Sequence, residues 1–153
     1  MRADLELQFA DGAYRFKLGL AQIRELQDKT GAGIGALYAR VLQGRMGDRA
    51  SEGHPAYAAY HVDDLRETVR QALIGGGGGL VDGADVKVTS LRAGEIVERY
   101  LDPMPLAEQW DIASAILFAL VEGYADEQSD TDDQGDGRDE DKKKAGGSTT
   151  PAR

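Results

Sequence analysis

Apolar and polar residues alternate from Leu5 to Phe9 and again from Tyr14 to Leu18. Glu6 and Gln8 separate Leu5, Leu7 and Phe9, and Arg15 and Lys17 separate Tyr14, Phe16 and Leu18. Ala10-Asp11-Gly12-Ala13 lies between the two runs, and an Asp-Gly pair between alternating segments is a strong hairpin signal. The pattern then changes period. Leu20, Ile23 and Leu26 predict a first helix, closed at Thr30-Gly31 by a left-handed glycine cap. Ile34, Leu37, Tyr38, Val41 and Leu42 repeat at helical spacing and predict a second helix over 34–42, stopped by Gly44. The stretch from Arg45 to Tyr60, with Gly47, Gly53 and Pro55, reads as a loop. Val62, Leu65, Val69 and Leu73 define a third helix, with Asp63 and Asp64 favouring its N-terminal dipole.

Gly75 to Gly79 end that helix and read as a hinge or linker, followed by a connector to Ser90, the expected N-cap of a fourth helix. Ala93, Ile96, Val97, Tyr100 and Leu101 mark this helix, with Glu95 and Arg99 at i, i+4 on its outer face. Asp102-Pro103-Met104-Pro105 stops it, and Pro105 suits the first position of the next. The last helix, Leu106 to Glu122, is apolar almost all round. Trp110, Ile112, Ile116, Leu117, Phe118, Leu120 and Val121 are its candidate core or partner-binding face. The expected fold is α+β: a small, mainly helical domain of about five helices with an N-terminal β-hairpin.

Composition adds a boundary. The 153 residues carry a formal net charge of −9, yet residues 125–153 hold no large apolar side chain and no aromatic. The reading is a globular body over 1–124 and a disordered acidic tail over 125–153. With no cysteine there is no disulfide framework and no thiol nucleophile. The run from Ile112 to Val121 is too short to span a bilayer, and the first residues lead into alternation rather than an apolar signal core, so cytoplasmic residence is expected. The acidic balance argues against general nucleic-acid binding, which relies on neutralising phosphates.

Motifs with chemical associations are weak. Gly31-Ala32-Gly33-Ile34-Gly35-Ala36 has dinucleotide-loop spacing, but a helix precedes it where that site needs a strand. The glycine run lacks the Lys-Ser/Thr of a phosphate loop. Asp130, Asp132, Gln134 and Asp141 depart from a calcium loop at too many ligands. His54 and His61 flank a loop and read as surface residues. No catalytic, cofactor-binding or metal-binding residue is expected, and the chain does not read as an enzyme.

In order and spacing the parts resemble the gene-transfer-agent type of phage tail assembly chaperone. The hairpin Leu5 to Leu18 leads into Leu20 to Gly31, similar to the family's L-x-x-L-E-x-x-T-G element. The short helix Ile34 to Leu42 follows. Ala72-Leu73-Ile74-Gly75-Gly76-Gly77 is similar to A-L-x-G-G-G. Glu95 to Tyr100 and the helix from Pro105 to Gly123 resemble A-x-x-L-V and P-L-x-x-A-x-x-I-L-x-A-x-x-G. The stretches 45–60 and 80–89 are long for the family. The resemblance implies a chaperone in the cytoplasm of a bacterial host. It would bind a phage tail protein, the tape measure or the tail tube, with a homo-oligomer also allowed and no cofactor. The alternatives are a structural virion component, such as a tail-completion or head–tail connector protein, and a small DNA-binding regulator using Arg40, Arg45 and Arg49.

Overall fold

The computed structural model describes residues 1–46 and 59–125. The tail over 126–153, with its calcium-like spacing, and the 47–58 segment that carries His54 lie outside the described residues. The chain runs β1 (Leu5–Phe9), β2 (Gly12–Phe16), α1 (Leu20–Thr30), α2 (Ile34–Met46), α3 (Val62–Gly76), β3 (Gly78–Val81), β4 (Ala84–Lys87), α4 (Ser90–Ile96) and α5 (Leu106–Val121). The expected α+β architecture is therefore present, with five α-helices among the described residues and the N-terminal hairpin.

The sheet is larger than the pattern predicts. Residues 78–87 form a second hairpin rather than a connector, and the order β1-β2-β3-β4 is antiparallel throughout. Leu7, Tyr14, Gly79 and Val86 make one row across it, and Gln8, Ala13, Leu80 and Asp85 the next. Alternation then sorts the faces. Tyr14 and Phe16 are fully buried against the helices, whereas Glu6, Gln8, Arg15, Asp85 and Lys87 face outward. The second turn is Asp82-Gly83, both at positive φ (52° and 79°), as a two-residue hairpin turn requires. In the first hairpin Phe9 pairs with Gly12, so the turn pair is Ala10-Asp11 instead of Asp11-Gly12, with Ala10 at φ 58°.

The glycine run is a packing device, not a linker. Gly77, at φ 71°, is the left-handed cap of α3, and its N–H donates to the Leu73 carbonyl. Just before it the helix end lies against β2. The Lys17 N–H donates to the Ala72 carbonyl at 3.0 Å, and a Cβ on Gly76 would collide with the Arg15 carbonyl. Gly76→Ala should therefore destabilise the fold by about 1–3 kcal/mol, as overpacking does. Gly35→Ala, where nothing lies within 4 Å on a helix, should instead stabilise it by roughly 0.5–1 kcal/mol. Urea melts of the two variants check both signs.

Helix α3 is the central helix, in contact with β2, α1, α4 and α5. Leu65, Val69, Ala72 and Leu73 meet Leu26, Leu37, Val41, Ile96, Val97, Leu101, Ile116 and Leu117 in one core. Two buried polar links cross it. Arg40 grips Asp64 with both ends of its guanidinium (2.8 and 2.6 Å), and Asp64, 1% exposed, also accepts the His61 N–H at the start of α3. The Trp110 indole N–H donates to the Val41 carbonyl at 2.7 Å. Helix α2 continues through Gly44 to Met46, because glycine weakens a helix by about 1 kcal/mol without terminating it.

Smaller differences follow from local geometry. Thr89, not Ser90, caps α4, accepting the Arg92 N–H. Pro105 precedes the first turn of α5 as its N-cap. A π-helical turn, Val97–Leu101, ends α4 and alters the spacing of its last side chains. Glu95 accordingly pairs with Arg92 at 3.4 Å, and Arg99 lies over the Tyr100 ring. Near the two ends of the described body, Arg2 and Tyr124 exchange two main-chain hydrogen bonds of 2.8 Å.

Tyr14 carries a pH consequence. Its ring is buried and its phenol donates to Asp11 at 2.5 Å. Burial first, then that bond, pushes its pKa from 10.0 up to about 12. Folding thus favours the neutral phenol. The contribution is whole below pH 10 and is lost as the pH rises through 10 towards 12. Tyr14→Phe should be less stable at pH 8, by about 1 kcal/mol, and should narrow its deficit between pH 10 and 12. Melts across that range test the sign.

Candidate protein-interaction surface

The seven apolar residues predicted for the last helix do not share one environment. Trp110, Ile116 and Leu117 are in the core, Ile112 and Leu120 are half-buried against it, and Phe118 and Val121 are 39% and 47% exposed. Packing against α2 and α3 takes one side of α5. What is left outside is a short apolar strip at its C-terminal end.

Tyr124 extends that strip. Gly123, at φ 81°, turns the chain back after the helix, and the Arg2–Tyr124 bridge then holds Tyr124 with its ring 5.6 Å from that of Phe118. Beside the pair lies a groove of about 290 Å³ lined by Leu42, Asp111, Ser114, Ala115, Phe118 and Tyr124. Ser114 is 3% exposed, and its hydroxyl has no hydrogen-bond partner among the described residues. Glu122, the residue after Val121, accepts from the Tyr38 phenol at 3.1 Å; burial first, and then this bond, raise the Tyr38 pKa. Neither Ser114 nor Tyr124 was conspicuous in sequence. Ser114 interrupts an apolar run, and Tyr124 lies past the helix end.

Other candidates do not assemble. Among the described residues no group of three or more His, Asp and Glu side chains is placed to hold a metal ion, and His61 is at the N-terminus of α3. Gly31 is the left-handed cap between α1 and α2, and the Ile34 N–H donates to the Gln27 side chain, so the dinucleotide-like spacing is a helix–helix connection. Arg40, one of three cations in the basic patch of a DNA-binding reading, is engaged by Asp64. No described helix is long and apolar enough to cross a membrane.

These elements, from the first hairpin to the end of α5, correspond to one family throughout: the chain is a tail protein of the phage and gene-transfer-agent kind. Residues 2–123 match the family described as phage tail tube protein, GTA-gp10, and the chain belongs to it. The family is a structural one, and its description is of the tail tube rather than of an assembly chaperone. No curated protein and no solved structure matches the chain.

Proposed function

We propose that the chain acts during tail morphogenesis as an assembly chaperone, binding a tail protein such as the tape measure until the tube is built, without catalysing a reaction. The observation that carries this reading is the exposed strip Phe118, Val121 and Tyr124 beside the Ser114 groove. An apolar strip joined to a polar group that has no partner among the described residues suits an amphipathic segment of another protein. The working body is residues 1–124. A chain ended after Ala125 should melt within about 1 kcal/mol of the full chain, because the removed residues have no large apolar side chain to bury.

Co-expression with the tape-measure protein of the same tail tests the reading. The full chain should keep that protein soluble and co-purify with it, and Phe118→Ser/Val121→Ser should lose both while keeping its melting temperature. A second reading, a structural component that stays in the particle, is favoured by the family's description as a tail tube protein. Mass spectrometry of purified particles separates them. The chaperone is absent from finished tails, whereas a structural component is present at a fixed copy number.

A further inference from the structure

The sheet ends in two open strands. Among the described residues β1 and β4 each pair on one side only. Open edges accept further strands, and here the two edges fit each other. Every neighbouring pair in the sheet is antiparallel, so β4 runs opposite to β1. A second copy's β1 laid along β4 therefore continues the same alternation.

Side chains select one register. With the rows continued straight across, Lys87 stands opposite Glu6 of the next copy, Val86 opposite Leu7, and Asp85 opposite Gln8. Glu6, Gln8, Asp85 and Lys87 are exposed on the outer face, while Leu7 and Val86 are half-buried on the inner face. Opposite charges and apolar pairs directly across from each other both stabilise a sheet. A slip of two residues one way sets Asp85 against Glu6. The other way it sets Lys87 against Gln8 and runs Asp85 past the end of β1. A slip of one residue turns every side chain to the wrong face.

We propose that copies of this chain associate head to tail, β4 of one pairing antiparallel with β1 of the next in the register that opposes Lys87 and Glu6. The interface uses different surfaces on the two copies, so it propagates instead of stopping at a dimer. It is separate from the Phe118 strip and holds whichever tail protein the chain binds.

The absence of cysteine makes the register testable. Gln8 and Asp85 lie in one row on opposite edges, three strand spacings or about 14 Å apart, too far to be bridged within a copy. Oxidised Gln8→Cys/Asp85→Cys should run as a ladder of dimers, trimers and larger species that collapses on reduction, and neither single variant should do so. Monomer alone, in a variant with the wild-type circular dichroism spectrum, overturns the proposal. Dimers from Asp85→Cys by itself overturn it too, since they require β4 to pair with β4. In sedimentation, Lys87→Glu and Glu6→Lys should each weaken self-association about tenfold. The double swap should restore it. Loss in both single variants without recovery in the double variant places the contact elsewhere.

Discussion

Trp110→Ala should destabilise the protein by about 3–5 kcal/mol, the range for deleting a large buried aromatic, and give the largest loss of any substitution in α5. Trp110 is 2% exposed and fills the space between α5 and α2, and its indole N–H is bonded to the Val41 carbonyl. The variant loses the area, leaves a cavity and removes that bond. Trp110→Phe should recover more than half of the loss, because the ring refills most of the volume and only the donor is gone. Chemical denaturation of the three proteins measures both quantities. A Trp110→Ala variant within about 1 kcal/mol of wild type would mean that α5 is not held to α2 through this side chain.

Asp64→Ala should cost about 3 kcal/mol, towards the low end for breaking a buried ion pair, because Arg40 is partly exposed and can swing to water. The carboxylate does two jobs: it receives the bidentate Arg40 and it accepts the His61 N–H that opens α3. Asp64→Asn keeps an acceptor for the cap and loses the charge, so it should cost roughly 1–2 kcal/mol. The exposed pair Arg66–Asp102, also bidentate at 3.0 and 3.2 Å, is the contrast. Asp102→Ala should change stability by less than about 1 kcal/mol, and that small effect should fade in high salt. Thermal melts at low and high salt separate the two pairs.

The helices were legible because each carries its own periodic stripe: Leu65, Val69 and Leu73 on α3 are enough to place it. The first hairpin was legible from five alternating residues on either side of a turn. The second was hidden although it has the better turn signal, Asp82-Gly83. Gly78 and Gly79 have no side chains, so β3 shows no alternation, and it exists because β2 offers an edge for Gly79 to pair with Tyr14. Local pattern cannot report that partner. The same limit applies to the interaction surface. An all-round apolar helix announces burial without saying which side, and only packing on α2 and α3 leaves Phe118 outside while Leu117 goes in. Arg40 and Asp64 are 24 residues apart, beyond any helical spacing. The acid was visible in sequence only as a residue favouring the helix dipole.

The double hydrogen bond between Arg2 and Tyr124 makes the described body nearly a closed loop. Anything joined ahead of Arg2 or behind Tyr124 departs from the same pole, next to Phe118 and about one strand spacing from its counterpart. A short splice between those two points would leave the strands and helices as they are, and the chain could then be cut open at the Asp82-Gly83 tip. Both ends of that permuted chain would lie at the far end of the second hairpin, leaving the aromatic pole free of any appended sequence.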